Sequence, residues 1–411
     1  MCPLILLLAV PLAAFAAPPV LSLEEATRLA VERAPLLDAH RSQIEAAQQE
    51  SRRAGALPDP TLAVGIYNMP VTGTDAFDVQ ADFMTMKRIG LRQEVPARAK
   101  REARRSLAAR NIDQAQADAQ AEHLQVRRET AEAWIDLWAT QRELRELIAL
   151  REETELASRL ARARVAGGTE PVADALAAEA ALLELNNRIE AARASETAAQ
   201  VELARWLGEG PLLFTDEAPD FTALPVSEAR LLAALDRLGP LLPTTAEIEA
   251  AAAEVDLARA EKRPDWSVAA SYGQRGGDRS DMLMLEFGIE LPLFTRNRQD
   301  RGVAARQAEY QATLARREDL RRQQAARIRA DVARWEGFKA QVARDRSALL
   351  PLARDRAATA LAAYRAGAPV RPWLDAQRDE LDILIDHTQR LGALGRSWAA
   401  LAYLLPEEPQ R

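Results

Sequence analysis

The chain carries a single cysteine, Cys2, in 411 residues, so it can form no internal disulfide and no zinc-thiolate cluster. Aromatic residues make up only 5% of it, too few for the ring-rich core of a compact globule. Three histidines, His40, His123 and His387, lie in unrelated segments without metal-ligand spacing, and each reads as a surface helix residue. No glycine-rich phosphate loop opens a helix, since Gly273-Gln274-Arg275-Gly276-Gly277 leads into none. No nucleophile–base grouping or acid pair stands out, which argues against an enzyme and against a bound cofactor. Charge of one sign is nowhere concentrated enough to grip a phosphate backbone. The 54 Lys and Arg are interleaved with 61 Asp and Glu, for a net charge of -7, which argues against nucleic acid as a partner.

Long apolar runs are missing too. Beyond residues 1–20 no uncharged stretch approaches the ~18 residues of a membrane-spanning helix. The one apolar run is MCPLILLLAVPLAAFAAPPV, which ends in the small-x-small pattern Ala14-Phe15-Ala16. Residues 1–16 are therefore expected to be a signal peptide cleaved after Ala16, leaving an exported chain without thiols. Such a chain is either periplasmic or crosses a membrane as a β-barrel.

What the sequence does have is alanine, charge and a duplication. Pro35-Leu36-Leu37 returns as Pro240-Leu241-Leu242, and Ile44-Glu45-Ala46-Ala47 as Ile248-Glu249-Ala250-Ala251. Pro58-Asp59-Pro60 answers Pro264-Asp265-Trp266. Met84, Met86 and Gly90 match Met282, Met284 and Gly288 at constant spacing, and the break at Gly167-Gly168 matches one at Gly367. The same order in both halves marks an internal repeat. The chain divides into a first repeat at 17–208, a proline- and acid-rich connector at 209–230, and a second repeat at 231–411.

Each half reads as helix, two strands, a very long helix, a glycine break and a further helix. The first half opens with a helix over 23–55, kinked at Pro35. Strands follow at 62–67 and 84–95, closed by Pro96, and in the second half at 267–273 and 282–291. Residues 97–165 and 296–366 read as two helices of about 70 residues, or about 100 Å each. Helices of that length must lie side by side in an array, with a solvated face of Arg and Glu. Met69, Met84, Met86, Met282 and Met284 fall in the strand regions. Thioethers can bind Cu(I) or Ag(I), but these read as lipid or core contacts. Trp266 suits a membrane interface.

Four strands cannot close a barrel, which takes about eight or more. Three copies that pool their strands would make about twelve, an even number of the kind outer-membrane barrels use. The fold class is thus mainly α with a small β part, in which duplicated helical hairpins stand beneath a shared barrel.

In this layout the sequence resembles the TolC-like outer-membrane efflux family, over essentially the whole mature chain. Its heavy-metal branch is the best match. The resemblance is carried by Met86-Lys87-Arg88-Ile89-Gly90-Leu91-Arg92-Gln93-Glu94-Val95-Pro96, by the basic helix start Lys100-Arg101, and by Pro292-Leu293-Phe294-Thr295-Arg296-Asn297-Arg298. It implies a homotrimer in outer-membrane lipid with a twelve-stranded barrel and a periplasmic α-barrel, serving as the exit duct of a tripartite pump. The hairpin tips, Ala166, Gly167, Gly168 and Thr169 with Ala366, Gly367, Ala368 and Pro369, would meet a periplasmic adaptor protein linked to an inner-membrane RND transporter. Asp174 and Asp375 match the acidic ring of the lumen gate. The second half departs from that pattern at Arg371-Pro372, where a further acid would stand. Competing readings are the duct of a drug exporter or type I secretion system, and a periplasmic helical-hairpin adaptor. The adaptor predicts no duplication.

Overall fold

The computed structural model describes residues 20–208, 213–214 and 218–406, so the expected leader at 1–16 lies outside the described residues. In chain order the first half gives β1 (Val20–Leu21), α1 (Leu23–Arg33), α2 (Pro35–Arg53), β2 (Thr61–Tyr67), β3 (Met86–Val95), α3 (Arg98–Ala166) and α4 (Val172–Leu207). After β4 (Leu213–Phe214) and α5 (Glu228–Ala233), the second half gives α6 (Leu242–Ala260), β5 (Asp265–Arg275), β6 (Met282–Glu290), α7 (Gln299–Arg344), α8 (Leu350–Arg365) and α9 (Arg371–Ala402). Both halves thus run helix, hairpin, long helix, turn, helix.

Proline sets several of these boundaries. The expected helix over 23–55 is in fact two, because Ala34, just before Pro35, is extended at φ -66° and ψ 114°. A residue preceding proline is disfavoured in the α region, so the chain breaks there rather than kinking. Ser22 starts α1 with a capping box: its hydroxyl accepts from the Glu25 N–H at 3.2 Å, and its own N–H donates to the Glu25 carboxylate at 3.2 Å. The expected helix over 296–366 is also divided. A 3-10 turn at Thr295–Asn297 precedes α7, and a π-helical turn, Asp345–Leu349, separates α7 from α8. Pro351 has no N–H to return to the carbonyl four residues back, and the widened turn before it accommodates that loss. By contrast, α3 runs unbroken for 69 residues.

Two compact units cut across the repeats. One comprises 36–122 and 235–324 and holds a single antiparallel sheet in the order β2-β3-β5-β6. The strands of the two repeats meet at its centre, where β3 pairs with β5 from Met86↔Arg275 to Val95↔Trp266. At the helix-bearing end, Asp265 accepts from the Ala97 N–H at 2.8 Å and from Lys100 Nζ at 2.7 Å, fixing the start of α3 against β5.

The other unit comprises residues up to 35 with 123–234 and 325–411. Its core lies between α3, α4 and α9, where Leu147, Leu185, Ile189, Ala192 and Leu381 cluster. The connector is pinned here. Phe221 is buried edge-on to Trp138, with ring centroids 5.9 Å apart, and against Trp398 at 5.5 Å. Trp335 Nε1 donates to the Phe221 carbonyl at 2.8 Å and Trp398 Nε1 to the Ala223 carbonyl at 2.8 Å. Nothing larger than glycine fits at 395, because a Cβ there would stand 2.7 Å from the Ile135 side chain and 3.2 Å from the Phe221 ring.

Candidate functional site

The sheet has two chemically different faces. In strands, neighbouring side chains alternate, and residues directly opposite across a ladder share a face. One face carries the rows Leu62–Leu91–Ala270–Leu285 and Val64–Ile89–Tyr272–Leu283, together with Val268 beside Phe287 and Trp266 beside Ile289. These side chains are left open: Val64 is 73% exposed, Leu283 73% and Phe287 75%. Keeping such a side chain in water forgoes about 1.5–3 kcal/mol relative to burying it. A face of them calls for an apolar environment. The opposite face carries Thr61–Arg92–Ala269–Glu286, Ala63–Gly90–Ser271–Met284 and Gly65–Arg88–Gly273–Met282. Apart from methionines these rows are polar or small, and Arg92 pairs with Glu286 at 3.0 Å. The edge strands β2 and β6 each pair on one side only, so among the described residues both edges of the ladder are open to another strand.

The strand methionines depart from expectation. Met69 and Met84 lie outside β2 and β3. Met86, Met282 and Met284 lie on the polar and small face, opposite the apolar rows. Met86 is buried over Gly273, whose missing side chain leaves room for its sulfur: a Cβ there would come within 2.8 Å of Met86 Sδ. The core-contact reading therefore holds for Met86. Met282 and Met284 share that face with Arg88 and Glu286.

The hairpin tips are the second feature. Between α3 and α4 the chain turns through Gly167 and Gly168, with Gly168 at φ +71°; between α8 and α9 it turns through Gly367 at φ +108°. These are left-handed conformations that side chains resist, and here the glycines end the helices. Ala166, Gly167, Gly168 and Thr169 are exposed, as are Ala366, Gly367 and Pro369, while Ala368 is half-buried. The Thr169 N–H and hydroxyl both donate to the Arg164 carbonyl, at 2.9 and 3.1 Å.

The two tips are tied to each other by residues that sequence reasoning missed. The Arg164 guanidinium donates to the Tyr364 carbonyl at 2.5 Å and reaches those of Arg365 and Ala368 at 3.4 Å. It also stacks over the Tyr364 ring, 4.4 Å from its centroid. The Tyr364 hydroxyl donates to Glu170 at 3.1 Å, and its ring lies parallel to Trp373 in a core shared by α3, α4, α8 and α9. Burial, reinforced by the Glu170 carboxylate, pushes the phenol up to about 12. Counted from the left-handed glycines Gly168 and Gly367, Arg164 and Tyr364 stand one residue out of step, so the repeat does not announce the pair.

The two proposed gate acids have different surroundings. Asp174 is half-buried in the first turn of α4, where the helix dipole favours a negative charge, and it is near enough to Tyr364 to help raise the phenol. Asp375 is exposed on α9 and borders a groove of about 210 Å³ lined also by Thr154, Glu184, Arg188, Arg371 and Arg378. No described hydrogen bond or ion pair joins the two.

His387 is not the surface residue expected. It is buried on α9 with Nδ1 3.4 Å from Asp345, a buried carboxylate in the π-helical turn that Arg390 also holds, at 3.0 Å. Burial keeps its pKa below the ordinary histidine value in spite of Asp345. Among the described residues no group of three or more His, Cys, Asp or Glu could hold a metal, and no helix is long and apolar enough to cross a membrane.

No protein-family model matches the sequence, and no curated protein matches it. Solved structures match the fold closely. CusC, whose crystal structures describe the conformational changes accompanying folding and transmembrane channel formation, superposes with a TM-score of 0.79 at 15% identity, over 94% of this chain and 92% of that one. The Campylobacter jejuni CmeC outer membrane channel gives 0.77 at 13%, covering 93% and 84%. The outer membrane protein VceC from Vibrio cholerae gives 0.69 at 20%, covering 92% and 96%. The fold is thus that of TolC-like outer-membrane channels.

Proposed function

We propose that this chain is one subunit of an outer-membrane efflux duct: an exported homotrimer whose sheets join into one twelve-stranded barrel and whose helices form a periplasmic α-barrel. The observation that carries this reading is the two-faced sheet with open edges. Three copies would join β2 to β6 around a ring, directing the apolar rows to lipid and the Arg92–Glu286 face to a wet lumen. The duct is passive. Its adaptor meets the exposed turns at Gly167-Gly168 and Gly367, and an inner-membrane RND transporter supplies the substrate. Asp174 and Asp375 contribute carboxylates to the periplasmic entrance, where they concentrate cations. Heavy-metal cations are the proposed cargo. The motif at Met86–Pro96 supports that choice.

The test is reconstitution. The purified chain is expected to run as a heat-modifiable trimer from the outer-membrane fraction and to open pores in planar bilayers. Asp375→Lys should lower the cation preference of those pores. Recovery as a soluble monomer without conductance would overturn the duct. Unchanged selectivity would remove Asp375 from the lumen. Deletion of the gene should sensitise cells to metal salts, whereas sensitivity to organic drugs alone would reassign the cargo.

A further inference from the structure

The two ends of the sheet differ in charge. At the end away from the helices, the loops after β2 and after β5 carry Asp75, Asp78, Asp82, Asp278 and Asp281. The one arginine within these loops, Arg279, is spent on the carbonyls of Gln80 and Asp82, at 3.4 and 3.1 Å. The helix-bearing end carries both signs, with Glu94, Glu261 and Glu290 exposed among a larger set of Lys and Arg. Lys100 and Lys262 there are neutralised by Asp265 at 2.7 Å and by Asp300. Arg263, in the turn before β5, and Arg296 and Arg298, in the turn after β6, are exposed, and they donate no side-chain hydrogen bond and join no ion pair among the described residues. The ladder pairs Asp265 with Glu290, which brings the ends of β5 and β6, and so these two turns, level with each other.

Beside these arginines lie some of the most exposed apolar side chains in the protein. Leu293 is 72% exposed and Phe294 87%, and Trp266 and Leu291, both more than half exposed, stand next to them. Within Leu291–Arg298 the chain passes from apolar to cationic in a few residues. A surface that needs hydrocarbon on one side and anions immediately on the other has the chemistry of a phospholipid leaflet boundary.

We infer that this rim binds the headgroups of anionic glycerophospholipids in the leaflet nearest the helices. Leu293 and Phe294 enter the acyl region, and Arg263, Arg296 and Arg298 meet the phosphates. Arginine suits the role because its planar fork binds phosphate oxygens in pairs. The inference rests on the membrane reading above and adds a lipid class and a site to it. Charge complementarity selects the occupant: three unpartnered cations answer the net charge of an anionic headgroup, which a zwitterionic one lacks.

The full chain is inserted into nanodiscs of phosphatidylcholine with an equal share of phosphatidylglycerol, and the lipid retained on release is counted by native mass spectrometry. The wild type should retain phosphatidylglycerol over phosphatidylcholine. Each of Arg263→Gln, Arg296→Gln and Arg298→Gln should weaken that preference roughly fivefold, and the triple variant on the order of a hundredfold. Arg329→Gln on α7, an exposed arginine outside the unit that holds the sheet, should change nothing. Phe294→Ser should lower retention of both lipids alike. Heat-modifiable mobility confirms that each variant is assembled. Equal retention of both lipids by the wild type, or an unaltered preference in the triple variant, would overturn the inference. So would complete displacement of the lipid by inorganic phosphate, because that would show a bare anion site without acyl contact. Failure of the wild type to enter nanodiscs at all would count against the duct itself, whereas entry without headgroup preference counts only against the rim.

Discussion

Replacing Arg164 with methionine isolates what ties one hairpin tip to the other. Methionine keeps most of the apolar stem, which packs beside Val165 and Tyr364, and removes the charge. Of the three carbonyls that Arg164 reaches, only that of Tyr364, at 2.5 Å, is firmly bonded; the other two, at 3.4 Å, are at the limit of a hydrogen bond. One charge-assisted bond contributes about 1.5–3 kcal/mol when buried, and the half-exposed guanidinium justifies the lower end. The stacking on Tyr364 adds about 0.5–1 kcal/mol at a partly wet site. The sum is about 2 kcal/mol, or roughly a thirtyfold rise in the fraction of time the second tip is undocked. Hydrogen exchange reads this directly, because the Gly367 and Ala368 amides are bonded within the tip at 3.0 Å to Tyr364 and Ala363. In Arg164→Met these two amides should exchange about thirtyfold faster, while amides in the middle of α9 keep their wild-type rates. If both tip amides change less than twofold, or if exchange accelerates evenly along the whole hairpin, the clasp is not what holds the tip.

Other consequences follow from the same contacts. The phenol of Tyr364 is pushed up to about 12, so the stability it lends is complete below the ordinary tyrosine value near 10 and is lost as the pH climbs from there through about 12. An ultraviolet titration should show a late-ionising tyrosine that disappears in Tyr364→Phe, and an unchanged titration in that variant would contradict the buried pairing with Glu170. His387 has the opposite sign. Its pKa is held below the ordinary 6.5, so the folded state prefers it neutral, and stability present above that pH falls away under acid. Thermal unfolding should become steeply acid-sensitive below about pH 6.5, and His387→Gln should flatten that slope; an unchanged slope would place the sensitivity elsewhere. On the sheet, Phe287→Arg on the apolar face should cost about 2–4 kcal/mol of membrane stability, while Glu286→Gln on the other face should leave assembly intact and alter ion selectivity. Heat-modifiability and single-channel recording separate the two, and equal tolerance at both positions would refute the assignment of faces.

What the sequence reveals and what it hides follow one rule. Period-two alternation at 62–67 and 282–291 exposes the strands, because a face with a uniform environment imposes its own spacing on the chain. The long helices are legible for a similar reason, since no proline or glycine interrupts the chain between Ala97 and Val165. Prolines announce that something changes but not how: Pro35 ends one helix and begins another, while Pro351 is accommodated by a π-helical turn. The choice depends on neighbours. Asp345 can sit buried in that turn only because Arg390 and His387 reach it from a helix some forty residues later, and no local pattern encodes such an encounter. The same argument covers the methionines. Their spacing shows that Met282 and Met284 share a face, but only the register Gly273↔Met282 shows that it is the face of Arg88 and Glu286.

The duplication carries more information than either half does alone. A repeat makes the halves alike where both must do the same thing, as at the glycine turns and at Gly90 and Gly288, each of which lies across from a β5 serine that leaves no room for a Cβ. It lets them differ where one half must recognise the other. Arg164 and Tyr364 stand at neighbouring places on the two tips and are chemically complementary: the guanidinium donates to the Tyr364 carbonyl and covers its ring. At the tips, chain reversal forces the glycines to match, and the residues around them are free to differ so that one tip can hold the other.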